Sequence, residues 1–128
     1  MDALLEVHRW AGYAVFLLVL WAAATAFRRG RNAQEFSPTP FVVTSVLLDI
    51  QVVLGIVLYG TEQYWEHPEP LIAYVHPAIM LLALVAAHLG VRSGRNEQMV
   101  QDAHRKVGRA MVGVLVLLAA GIGVASAV

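Results

Sequence analysis

The sequence predicts an all-α integral-membrane protein, a single antiparallel four-helix bundle over residues 1–128 with both termini outside. Three observations predict it. Hydrophobic residues make up 59% of the chain and charged residues only 14%, too little charge to cover a soluble domain of this size. The apolar residues gather into four runs, each near the roughly 20 residues that a bilayer core requires. The connections, about 10 to 13 residues each by this reading, favour antiparallel neighbours.

The first run extends from Trp10 to Phe27, and helical continuity carries it back to about Leu4, so that it includes His8. Arg28, Arg29 and Arg31 stop it. Met1 is followed by Asp2 and Glu6 rather than by a basic segment, so no cleavable signal is expected and the first helix stays. The second run follows the turn Ser37-Pro38-Thr39-Pro40 and goes from Phe41 to Gly60, interrupted by Asp49 and Gln51. The third spans Leu71 to Val91 and contains Pro77, which lacks the helix donor and is expected to kink the helix and re-aim His76. The fourth starts near Ala103 and continues to the C-terminus.

Eight of the nine basic residues, Arg28, Arg29, Arg31, Arg92, Arg95, Arg105, Lys106 and Arg109, fall on one side of such a bundle, and only Arg9 on the other. The positive-inside rule makes the basic side cytoplasmic and turns both termini and the loop 61–70 outward, in the inner membrane if the cell is bacterial. Trp10, Tyr13, Tyr59, Tyr64, Trp65 and Tyr74 fit an interfacial aromatic belt. The formal net charge is zero, which argues against nucleic acid as a partner. With no cysteine, disulfides, c-type haem attachment, iron–sulfur ligation and thiol catalysis are excluded.

The chemistry resides in histidines placed where lipid tolerates none without a partner. The first and third helices both begin on the outer side, which puts His8 and His76 at one depth, where two helices can offer axial nitrogens to one haem iron. His88 stands twelve residues beyond His76, roughly 18 Å deeper and turned by about 120°. It therefore addresses a different neighbour, and His104, which opens the fourth helix, makes a second candidate pair with it. The patterns His8-Arg9-Trp10-Ala11-Gly12 and His104-Arg105-Lys106-Val107-Gly108 repeat His-Arg-x-x-Gly. A glycine one turn after the ligand leaves space for a porphyrin plane, and the arginine can pair with a propionate.

Blander readings stand beside these. His104 next to Arg105 and Lys106 reads equally as an interfacial residue, His88 as a hydrogen-bond partner of Asp49 or of a backbone carbonyl, and His67 as a surface histidine. Imidazoles also suit a bare copper or zinc ion. Asp49, near mid-membrane, is protonated or partnered; a proton relay is its functional reading and a helix-to-helix hydrogen bond its structural one. Gly12, Gly55, Gly108, Gly113, Gly121 and Gly123 permit close packing.

With these residues placed, the chain resembles half of a haem A synthase, a family built as a pair of four-helix haem-binding bundles. The matching residues are Glu6-Val7-His8-Arg9 with Gly12, Gln51-Val52-Val53-Leu54-Gly55, and His76, over the first three helices. The resemblance implies His8 and His76 as axial ligands and Glu6 as a catalytic carboxylate. Family members have two such halves and lack the His88 and His104 pattern, so a single half implies dimerisation or a simpler task. A lesser resemblance, through His76-Pro77-Ala78-Ile79-Met80 and His104, links the chain to ascorbate-type transmembrane cytochromes b, with a haem at each face.

The leading expectation is a membrane b-type haem protein that carries electrons, with one haem on His8 and His76 and a second on His88 and His104 left open. Arg9, Gly12, Gly108 and Gln51 join the candidate binding set. Expected partners are lipid, a quinol or a redox protein, and a second copy or a larger complex. The alternatives are a haem-modifying oxidoreductase that uses Glu6, and an accessory or assembly subunit without haem.

Overall fold

A computed structural model describes residues 2–127. Among these, α1 spans Asp2–Arg31, α2 Thr39–Thr61, α3 His76–Arg95 and α4 Val100–Ser126. A single π-helical stretch, Leu71–Val75, leads directly into α3. The described residues contain four helices, counting the π stretch with α3, that are long and apolar enough to cross a membrane. Large apolar side chains point outward along all of them, among them Leu17 on α1, Ile56 on α2, Leu82 on α3 and Val116 on α4. That outer shell is the pattern of a multi-pass membrane protein, because water would not tolerate apolar surface of that extent.

The helices outrun the apolar runs that announced them. α1 continues through its arginines to Arg31, and α4 begins at Val100, before Ala103. The connections are correspondingly shorter than expected, residues 32–38, 62–70 and 96–99. Arg28, Arg29 and Arg31 occupy the last turn of α1, and Arg92 and Arg95 that of α3, where cations suit the negative end of the helix dipole.

The close of α1 is a Schellman turn. Gln34 N–H donates to the Arg29 carbonyl at 3.0 Å and Ala33 N–H to that of Gly30 at 3.2 Å, with Ala33 left-handed at φ 51°. The turn leaves the Gln34 carbonyl facing inward. His104, wholly buried at 0% exposure, donates its Nε2–H to that carbonyl at 2.9 Å and lies 5.3 Å from the Phe36 ring. His104 thus fastens the α1–α2 connection to α4.

Pro77 does not merely bend its helix. Without an N–H it leaves the Ala73 carbonyl unpaired, four residues back. The Tyr59 hydroxyl of α2 donates to that oxygen at 2.8 Å, and the π turn immediately before α3 absorbs the misfit. His76 follows as the first residue of α3.

All four helices contribute to the core, in which Ala22, Ala26, Ala83 and Ala87 pack with Val19, Val107, Val114 and Met111 and with Phe41 and Leu48 of α2. Gly90 and Gly94 bring α3 and α4 together. A Cβ on Gly90 would collide with Ala110, and one on Gly94 with Val107. This Gly-x-x-x-Gly spacing is a known device for close helix approach in membranes.

Candidate functional site

His8 and His76 are brought together. Their ring centroids are 6.4 Å apart and the planes stand at 86°. Each ring is held by a different neighbour. The His76 Nδ1–H donates to the Gly121 carbonyl of α4 at 2.9 Å. Gln51 of α2, itself buried, places its amide nitrogen 2.6 Å from the His8 carbonyl oxygen and 3.1 Å from His8 Nδ1. All four helices therefore contribute to one cluster.

These contacts assign the tautomers. A carbonyl oxygen at 2.6 Å admits only a donor, so it is the Gln51 NH2 that faces His8 and gives its second hydrogen to Nδ1. His8 accepts there, and its neutral form carries the proton on Nε2. His76 carries its proton on Nδ1 and keeps a lone pair on Nε2, the state in which a histidine ligates metal. Gln51 Oε1 is left buried without a hydrogen-bond partner.

Glycines set the distances. A Cβ on Gly55 would stand 3.0 Å from His8 Cε1, and one on Gly12 would stand 3.2 Å from Gln51 Nε2. A Cβ on Gly121 would collide with the Met80 methyl and lie 3.6 Å from His76 Nδ1. The glycine after His8 thus admits the Gln51 amide. The one after His104, Gly108, admits the Phe27 ring, which a Cβ there would meet at 2.8 Å. The repeated His-Arg-x-x-Gly pattern makes room for a neighbouring side chain at both helices.

The His88–His104 pairing is corrected by the structure, which does not bring the two side chains together. His88 Nε2 lies 2.7 Å from Asp49 Oδ1, facing α2 rather than α4, while His104 is engaged by Gln34. Depth along a helix sets the level of a residue; rotation sets its neighbour, and here the turn from His76 to His88 leads to α2. Arg9 pairs with Glu6 at 2.9 Å, both about half exposed. His67 accepts a hydrogen bond from Glu69 N–H at 3.0 Å in the connection between α2 and α3.

The ring spacing is that of two imidazoles sharing one metal, and His76 offers Nε2 as it stands. His8, protonated on Nε2 and accepting at Nδ1, would ligate only after its proton moves to Nδ1 and the Gln51 amide turns. With a metal–nitrogen bond of about 2 Å, two imidazoles on opposite sides of one metal have centroids roughly 6 Å apart, close to what His8 and His76 show. Among the described residues no group of three or more His, Cys, Asp or Glu could hold a bare metal ion. A shallow apolar cleft of about 210 Å³ opens between α1 and α2 one turn below His8, lined by Ala14, Val15, Leu18, Leu47, Leu54 and Gln51. It is smaller than the usual ligand pocket.

Sequence reasoning missed Gly121 as the acceptor for His76, the Gly90–Gly94 spacing and the anchoring role of Tyr59. The Gly-x-x-x-Gly spacing was readable; the other two depend on which faces meet. Comparison with protein-family models, with curated proteins and with solved structures finds no match.

Proposed function

We propose that this chain is an integral-membrane b-type haem protein that carries electrons, with one haem held by His8 and His76. The single observation that supports this most is the cluster itself: two imidazoles from α1 and α3, 6.4 Å apart, one of them with its Nδ1–H on a backbone carbonyl. The bundle is antiparallel, with both termini and the loop 61–70 outside and the arginine-rich ends in the cytoplasm. Support for that orientation comes from the basic last turns of α1 and α3 and from the exposed aromatic rings Trp10, Trp65 and Tyr74 near the opposite ends.

When bound, haem supplies one-electron redox chemistry. The residues of this chain do the rest. His76 presents Nε2, with Gly121 fixing its tautomer. His8 presents its ring from α1, with Gln51 setting the orientation. If both histidines held the iron, no position would remain for oxygen or substrate, which would suit relay better than catalysis. Glu6 is exposed and paired with Arg9, and it lies two residues before His8, on a different face of α1.

Haem content after purification with haem supplied tests this reading. The wild-type chain is expected to show sharp low-spin reduced bands. His76→Ala and His8→Ala should each lose that spectrum, while His104→Gln keeps it. A colourless wild-type protein overturns the proposal and returns the accessory-subunit reading.

A further inference from the structure

The haem reading leaves the pair formed by Asp49 and His88 without a task. It joins α2 to α3 through a 2.7 Å contact between Asp49 Oδ1 and His88 Nε2, yet the side chains are 38% and 52% exposed respectively. Asp49 lies ten residues inside α2, about 15 Å from that end of the helix. The surface around it is apolar: Val46 and Val53 on α2, Val85 and Leu89 on α3, are all exposed. The carboxyl group and the imidazole partner each other, which leaves one polar atom on each, Asp49 Oδ2 and His88 Nδ1, to be satisfied in hydrocarbon.

We propose that this pair binds the head group of a lipid-soluble quinol. Three features carry the choice. Access is from the lipid side, so the ligand is dissolved in the membrane and carries an apolar tail. The contact between the two side chains uses only one oxygen and one nitrogen; among the described residues Asp49 Oδ2 and His88 Nδ1 make no further hydrogen bond. With the carboxylate ionised and the imidazole neutral, both free atoms accept, which matches the phenolic O–H groups of a quinol. Once protonated, the same atoms donate, which matches the carbonyls of the quinone. A ligand that alternates between donor and acceptor forms uses both states of the pair; a lipid with one hydroxyl uses neither fully.

This site is distinct from the histidine cluster, since His88 stands twelve residues beyond His76 on the same helix, roughly 18 Å away. What the electrons of the quinol would do rests on the haem reading; the binding does not. The test therefore measures binding. The purified chain in lipid nanodiscs is photolabelled with a short-tailed azidoquinone and the labelled peptides are mapped. Labelling is expected on the α2 and α3 segments around Asp49 and His88, competed by an unreactive short-tailed quinone and not by farnesol. The double variant Asp49→Leu/His88→Leu suits a lipid-facing surface and should fold normally, with unchanged circular dichroism and unchanged haem content. Its labelling should fall by about tenfold or more, as loss of one or two hydrogen bonds implies.

Labelling that persists in the double variant overturns the proposal, as does equal competition by farnesol. So does a wild-type dimer that the double variant converts to monomers with no label on either, because the pair would then be a contact between copies. Labelling without haem leaves the quinol site standing while the haem reading fails, and haem without labelling does the reverse.

Discussion

His8 and His76 differ in which nitrogen holds the proton, and the difference follows from what each faces. A backbone carbonyl can only accept, so Gly121 draws the His76 proton to Nδ1. The Gln51 amide nitrogen can only donate, so it leaves the His8 proton on Nε2. Nitrogen-15 NMR of the haem-free protein should therefore report opposite neutral tautomers for the two rings. In Gln51→Leu the His8 preference should disappear while His76 stays as it was; matching tautomers in the wild-type chain would contradict the assignment. That His8 and His76 meet was legible from the sequence, which predicts that the first and third helices start on one side. The sequence also predicts one level for His88 and His104, but nothing in their spacing revealed that one turns to Asp49 and the other to a carbonyl exposed by a Schellman turn.

At the scale of elements, the irregular places are the informative ones. The entry to α3 depends on the Tyr59 hydroxyl, which satisfies the carbonyl that Pro77 strands. Tyr59→Phe should cost about 1–3 kcal/mol, the penalty for a buried acceptor left unpaired, visible as a lower thermal midpoint in detergent. Between α3 and α4, Gly90→Val forces a side chain against Ala110 and should cost about 1–3 kcal/mol by overpacking, whereas Gly113→Ala, with open space at its Cβ, should be neutral or stabilising. The short turn between these helices is clasped by Glu97 and Lys106 at 2.7 Å. The hydrogen bond from Lys106 holds the Glu97 carboxyl below its ordinary range. A depressed folded-state pKa contributes stability that is present above the unfolded value of about 4.3 and lost as pH falls through the folded one. Proteolytic nicking of residues 96–99 should accordingly be slow at neutral pH and rise below about pH 4, and Glu97→Gln should remove that pH dependence. Element positions were largely legible because apolar runs mark them; their ends were not, because arginines that stop a hydropathy run are good helix formers and continue the helix.

At the scale of the whole molecule, four apolar helices are packed together, and two polar clusters carry the candidate chemistry. One, between α1 and α3, holds His8 and His76. The other, Asp49 and His88, opens outward between α2 and α3. The membrane character follows from composition and needs no tertiary information, which is why it was readable at once. The clusters depend on helix rotation, which a pattern of 3.6 residues per turn leaves unspecified when apolar residues surround the helix on all sides. That is the physical reason the first cluster could be anticipated by depth alone and the second pairing could not.

The central claim, one haem between His8 and His76, is tested most directly by the pyridine haemochrome of the detergent-purified chain, read as haem per chain together with its oxidised and reduced spectra. One low-spin haem per chain, lost in His76→Ala and retained in His88→Leu, is the expected result. Absence of haem from protein made with haem supplied, or a haem that survives loss of His76, would contradict it.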